Sequence, residues 1–332
     1  MISKSIQTKY PSIRDWGGKT VFLRRLVDEE DKKWSAFNPS IGYSPKHGYA
    51  MTIRSSNYVL NTMSGLLDIT HGGTVKNRLW FAELDQTDLS IKAIKEVQFS
   101  TDAYPQKRGV EDAKLFWKDD SWYFSAVMLE REHTVVGRIC LYKYDQETNT
   151  ASLVHRWAGP DVFRIEKNWM FPYGGNDNFD CVYNPTSVIK NDKLISTLSE
   201  QTKTGGLRGS SNLWKLDDGT YIGIMHTVYI KSTPVYNPRT FGNSMNHQRR
   251  YTHQFVKVDE YGAIVGLSNE FVFENLDIEF AAGLVEKDGN YIISYGAKDV
   301  TSHLAIVPVE QIHSRILPID DVEINLVVSP IT

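Results

Sequence analysis

The stretch "KDGNYIISYG" (287–296) is a polar turn running directly into aromatic and β-branched residues. Asp-Gly supplies the backbone of a tight hairpin turn, and Tyr and Ile after it suit a pleated sheet. The same arrangement recurs in "KHGYAMTI" (46–53), "KDDSWYFSAV" (118–127), "KNDKLISTL" (190–198) and "DDGTYIGIMH" (217–226). Further strand pairs lie between these turns: "NRLWFAEL" with "IKAIKEVQF", "GRICLYKYD" with "ASLVHRW", and "HQFVKVD" with "AIVGLSNEFVF". The best helix candidate, "LDQTDLSIKAIKEV", carries β-branched residues and central turn residues that favour a hairpin. Five hairpin signals along one chain predict an all-β, five-bladed β-propeller with a central active-site pocket. The signals are unevenly spaced, and a sandwich with long loops is the alternative.

The chain has 332 residues, and all-β domains reach this length as one unit. One domain is expected over 1–332, with a core of roughly 37–312 between terminal extensions. With 37 Lys and Arg against 40 Asp and Glu, no basic surplus suits nucleic acid. Cys140 and Cys181 are too few for a disulfide framework, and a reducing compartment is expected. No apolar run approaches the roughly 18 residues of a membrane helix. "MISKSIQTKYPSIRDW" has no signal-peptide core, so a cytoplasmic location is expected. Nine histidines show no helix-based metal pair, and neither a dinucleotide loop nor a G-x-S-x-G elbow is present. No metal and no cofactor is expected.

"KRGVEDAKLFW" (107–117) places Glu111 and Asp112 side by side at the start of a strand. Strict alternation sends Asp112, Lys114 and Phe116 to one face and Glu111, Ala113 and Leu115 to the other. One carboxylate then faces a pocket while its neighbour serves structure.

Five segments in order, "NPSIGYSPKHGYAMTIRSSNY" (38–58), "RGVEDAKLFWKDDSWYFSAV", "IEKNWMFP" (165–172), "DGTYIGIMHTV" and "IEFAAGLVEKDGNYIISYGAKDVTSHLAIVPVEQI" (278–312), resemble glycoside hydrolase family 130. That family holds β-mannoside phosphorylases and β-1,2-mannosidases and is related to the mannosyltransferases of glycosyltransferase family 108. The resemblance implies an inverting enzyme acting on β-mannosides, with Asp112 as the proton donor. It implies phosphate contacts from Arg54, Lys167 and His226, to which Arg208, Arg250, Tyr251 and His253 are candidate additions. Sugar contacts are implied for Asp299, with Asn38 and Asn168 as further candidates. The implied partners are a sugar or oligosaccharide acceptor and inorganic phosphate, a sugar 1-phosphate or a nucleotide sugar. Two departures stand out. Ala113-Lys114 replaces the usual Pro-Arg, and no histidine-arginine pair comes after "EKNWMFP". Glu166 and Glu279 are extra carboxylates, each a candidate base for water. A nucleotide-sugar transferase, a mannosidase and a non-catalytic sugar-binding propeller remain the alternatives.

Overall fold

A computed structural model of the chain describes residues 10–23, 34–60, 67–100, 108–131, 135–157, 159, 165–197, 206–237, 242–274 and 277–319. Residues 1–9, where the signal-peptide reading begins, lie outside them.

Each of the five polar turns joins two antiparallel strands, and the sheets form a five-bladed β-propeller. Blade 1 orders Ser35–Ser44, Gly48–Ser56, Asn77–Leu84 and Ile91–Glu96 from the centre outward. Blade 2 runs from Val110–Lys118 through Ser121–Arg131 and Val135–Asp145 to Thr150–Trp157, with Gln98–Phe99 added in parallel. Blade 3 comprises Cys181–Asn184, Ser187–Lys190 and Lys193–Ser196, and Met170 bridges to Val182 on its inner side. Blade 4 is built on the long hairpin of Tyr221–Asn237 and Gly242–Val258, with Ile264–Leu267 outside it. Blade 5 combines Glu279–Lys287, Asn290–Ala297 and Thr301–Pro308 with Lys19–Phe22.

That last pairing closes the ring. Lys19 faces Ile306 and Phe22 faces His303, so a segment expected as an extension completes a blade. At the other end, Leu317–Pro318 pairs with Ile264–Leu267 of blade 4. The expected strand pairs formed, including the hairpin over "LDQTDLSIKAIKEV". Among the described residues, the helices are a 3-10 turn at Ile13–Trp16 and one α-helix at Val309–His313.

The blades' apolar faces pack as wedges. Phe81, Trp122, Phe124 and Tyr142 fill the space between blades 1 and 2. Phe255, Phe271, Tyr291 and Tyr295 fill that between blades 4 and 5. Nearer the axis the inner strands are stitched by small hydroxyls. Ser40 Oγ donates to the Ala282 carbonyl (2.9 Å) and accepts from the Leu115 amide (3.0 Å). Ser210 Oγ donates to the Ala281 carbonyl, and Thr52 Oγ1 to that of Ala113. Such bonds satisfy main-chain groups where neighbouring sheets do not pair. Gly283 lets the Ile41 main chain approach where a Cβ would stand. Cys140 and Cys181 are buried and are not joined in a disulfide.

Candidate active site

In blade 2, Val127 opposes Glu111 and Ser125 opposes Lys114, so Asp112 and Ala113 share one partner across the ladder. This is a β-bulge, and Asp112 takes the left-handed backbone (φ 51°) that such bulges usually give to glycine. Blade 1 repeats the device: Asn38 and Pro39 are squeezed between the Phe37–Arg54 and Ser40–Thr52 pairs, with Asn38 at φ 49°. Asn and Asp tolerate this conformation better than most residues. The bulge breaks the expected alternation. Glu111 and Asp112 therefore turn toward the same cavity instead of opposite faces.

Arg54 binds both carboxylates. Its Nη2 lies 3.2 Å from Glu111 Oε1 and its Nη1 2.9 Å from Asp112 Oδ1. Its Nε donates to Asn77 Oδ1, and Phe37 stacks beneath the guanidinium (5.0 Å). Lys167 Nζ reaches Glu111 Oε2 at 3.1 Å, and Asn38 Nδ2 donates to Asp112 Oδ1 at 2.9 Å. Burial alone pushes both carboxyls up, but Arg54 and Lys167 outweigh it, so both are held below their ordinary ranges. Lys167 is raised, since Glu111 and Asp112 outweigh its own burial. Asp112 is thus an ionised acceptor at rest, a poor starting state for the proton donor the resemblance implies.

Asp299 sits across the same cavity, at φ 55° in the turn after Asn290–Ala297. Tyr58 links it to the others: its hydroxyl accepts from Arg54 Nη2 and donates to Asp299 Oδ2, both at 3.3 Å. Burial raises the Asp299 carboxyl, and Arg54 offsets only part of that.

The cavity has a volume of about 480 Å³. Asn38, Arg54, Glu111, Asp112, Lys167, Asn168, Arg208, His226, Tyr251 and Asp299 all line it, drawn from blades 1, 2, 4 and 5 and from the turn that leads through Met170 into blade 3. Asn168 (φ 67°) is set beside blade 4, because Gly209 leaves room for its carbonyl. His226 is 2 % exposed and stacks on Tyr251 (5.3 Å between centroids). Burial, with His253 and Arg208 nearby, holds it well below the ordinary histidine pKa, and its Nδ1 has no hydrogen-bond partner among the described residues.

Four expected residues stand elsewhere. Glu166 accepts from Trp169 Nε1 and the Tyr183 hydroxyl, beneath the Lys167–Asn168 turn. Glu279 accepts the amides of Phe273 (2.8 Å) and Glu274 (2.7 Å), which makes it an anchor between main-chain segments. Neither carboxylate lines the cavity, so neither is placed to activate water there. His253 is sealed between Phe271 and Phe273. Arg250 stacks on Tyr10, outside the cavity (5.7 Å). Glu279→Ala strips a buried and a half-buried amide of their acceptor. It is expected to destabilise the fold by about 2–4 kcal/mol, read by urea unfolding.

Sequence reasoning passed over Arg249, Tyr58, Arg108 and Phe280, all of which line the cavity. The first was recoverable. In "RRYTHQF", alternation puts Arg249 with Tyr251 and sends Arg250 to the opposite face. Among the described residues, no group of His, Cys, Asp and Glu is arranged to hold a metal, and no helix is long and apolar enough to cross a membrane.

No protein-family model and no curated protein sequence matches the chain. Solved structures do. The β-1,2-mannobiose phosphorylase of Listeria innocua, in complex with β-1,2-mannobiose, aligns at TM-score 0.55 and 11% identity, over 90% of this chain and 98% of that one. MPT-4, a mannose phosphorylase from Leishmania mexicana in complex with phosphate ion, aligns at 0.52 and 11%, over 90% and 91%. MPT-1, a GDP-Man-dependent mannosyltransferase from the same organism, aligns at 0.52 and 13%, over 87% and 90%. At these identities the likeness carries the fold.

Proposed function

We propose that this protein is a carbohydrate-active enzyme that cleaves a β-mannoside-type bond by phosphorolysis with inversion, or forms one from a sugar 1-phosphate. One observation carries the reading. The cavity sets five cations, Arg54, Arg108, Lys167, Arg208 and Arg249, against three carboxylates, Glu111, Asp112 and Asp299. A surplus of positive charge in a partly desolvated hollow suits a phosphate dianion that must be stripped of water and aimed. Arg208, Arg249 and Lys167 are the anion's contacts in this scheme, and neutral His226 with Tyr251 forms the wall beside them. Asn38, Asp112 and Asp299 hold the sugar through its hydroxyls. The two carboxylates expected to activate water turn away from the cavity, which favours phosphate over water as nucleophile. One structural neighbour is a mannose phosphorylase and another a β-1,2-mannobiose phosphorylase, in keeping with this chemistry.

The test is a panel of β-linked mannosides incubated with and without inorganic phosphate and monitored by phosphorus NMR. Sugar 1-phosphate is expected to accumulate only with phosphate. Sugar release indifferent to phosphate eliminates phosphorolysis. Consumption of GDP-mannose with an acceptor, and no use of phosphate, establishes the transferase reading that the likeness to MPT-1 keeps in play. Asp112→Asn removes the ionised acceptor from the centre of the clamp. Turnover is expected to fall roughly 10²-fold or more while the fold persists. Near-normal turnover in that variant removes Asp112 from the mechanism.

A further inference from the structure

The cavity wall divides by chemistry as well as by blade. Arg208, His226, Arg249 and Tyr251 come from the strands of blade 4. On the side of blades 1 and 2, five aliphatic residues line it: Leu60, Leu67, Val75, Leu129 and Ile165. Leu60 and Leu67 are register partners in the small hairpin of Tyr58–Leu60 and Leu67–Ile69, so their side chains leave one face together. Leu129 faces Gly137 across blade 2. Ile165 bridges to Gly137 and sets its Cγ2 where a Cβ on that glycine would stand, which brings it beside Leu129. Leu67 and Ile165 are 43 % and 41 % exposed. Single apolar residues on a surface need no explanation, but several converging on one side of a binding cavity suit an apolar ligand.

We propose that this wall is the subsite of the leaving group and that it takes an alkyl chain, so that the substrate is a β-mannoside of an aliphatic alcohol rather than of a second sugar. This rests on the phosphorolysis reading above and names its substrate class. In a ring of five blades, blade 4 stands opposite the junction of blades 1 and 2. An inverting displacement needs that arrangement, because the phosphate enters on one face of the anomeric carbon and the leaving oxygen departs from the other. Arg208 and Arg249 are on the blade 4 side, and the aliphatic wall is across from them.

A second sugar would bring several hydroxyls against side chains that cannot bond them, and each hydroxyl shut off from water without a partner costs binding. An alkyl chain has the opposite balance, since every methylene it buries against Leu60, Leu67 or Ile165 is gained from water. Of the charged groups near the wall, Arg54, Glu111 and Lys167 are already paired with one another, which leaves Arg108 at its border. Gly137 is part of the design, because any larger residue there would push Ile165 out of the wall.

The experiment measures phosphate-dependent turnover of methyl, butyl and hexyl β-mannoside and of β-1,2-mannobiose. The alkyl glycosides release alcohols of similar basicity, so the series reads the subsite and not the bond cleaved. Wild-type kcat/KM is expected to rise by up to about fourfold per methylene, and by roughly 10-fold or more from methyl to hexyl. Hexyl β-mannoside is expected to be the better substrate than mannobiose. In Leu67→Ser and Ile165→Ser the ratio of hexyl to methyl is expected to shrink several-fold. In Ile195→Ser, which changes a similarly exposed residue of blade 3 outside the cavity, that ratio is expected to hold. A flat alkyl series, a preference for mannobiose, or a chain-length gain that both cavity variants retain overturns the proposal and leaves phosphorolysis standing. Calorimetric titration of the same glycosides without phosphate gives a readout free of turnover, with hexyl expected to bind more tightly than methyl and the cavity variants to narrow the difference. If the wild type turns over no glycoside with phosphate, the phosphorolysis reading fails and the titrations alone decide the subsite. Equal affinity for methyl and hexyl, or binding of neither, then overturns it.

Discussion

Arg54→Met is expected to destabilise the protein by about 3–5 kcal/mol at neutral pH, since it leaves two buried carboxylates without their shared cation. Glu111 and Arg54 are 9 % and 6 % exposed at their side chains, so water does not take the missing partner's place. Methionine keeps much of the stem volume over Phe37, which confines the loss mainly to charge. The directions of the shifts set the pH dependence. In the wild type both carboxyls are lowered on folding, so their stabilisation is complete above the ordinary carboxyl range and fades as pH falls through the folded values. Without Arg54 only Lys167 and, at Asp112, Asn38 still oppose the effect of burial, so both carboxyls rise and protonation relieves the variant. Urea unfolding at pH 7 and pH 4.5 is therefore expected to show a smaller gap between the two proteins at the lower pH. The triple variant Arg54→Met, Glu111→Gln, Asp112→Asn is expected to recover much of the loss at pH 7. A gap that stays the same at both pH values, with no recovery in the triple variant, would show that the clamp is not electrostatic.

How far the sequence carries depends on the range of the physics involved. Polar turn plus strand is a local signal, and all five such turns became hairpins. Their uneven spacing has a structural origin in blade 3. There the 191–192 turn joins Ser187–Lys190 to Lys193–Ser196, on the outer side of the sheet, whereas in blades 1, 2 and 5 the turn comes directly after the innermost strand. The role of Lys19–Phe22 was not legible, because ring closure is a contact between the two ends of the chain. At the site, the sequence reading chose Arg250, whereas strict alternation with Tyr251 would have picked Arg249, the arginine that lines the cavity. Alternation failed at Glu111 and Asp112, where a single inserted residue at a bulge reverses the facing of the residues beyond it. The signal that marks this bulge is weak: Asn-Pro in blade 1 and Glu-Asp-Ala in blade 2 share only an Asx residue at the left-handed position. Glu166 and Glu279 show the opposite limit. A carboxylate in an apolar run announces burial, and whether it serves a ligand or main-chain amides is decided by residues far away in sequence.

Lys114 is expected to make the protein more stable as pH rises from about 7 toward 9.5, with a slope of up to about 1.4 kcal/mol per pH unit. The residue is 3 % exposed, and its Nζ donates to the Trp169 carbonyl at 2.8 Å. Burial lowers its pKa from 10.5 to about 7, against weaker support from Asp112. Over this window the unfolded chain holds a proton that the folded protein has lost, so raising the pH drains the unfolded state of its advantage. Other groups bound the window. His226 and His253 are lowered on folding, the latter to about 3, and their contribution is complete once pH exceeds the unfolded histidine value of 6.5. Tyr49, raised to about 12, acts in reverse, because above pH 10 the unfolded chain sheds a proton that the fold retains. Lys114→Met is expected to flatten the profile between pH 7 and 9.5 and to leave the rise below pH 6.5 intact. Urea unfolding at half-unit steps resolves the two limbs. A wild-type profile already flat above pH 7 would mean that Lys114 keeps its charge inside the propeller. The bond to Trp169 would then be a full ammonium contact tying blade 2 to the turn that carries Lys167 and Asn168.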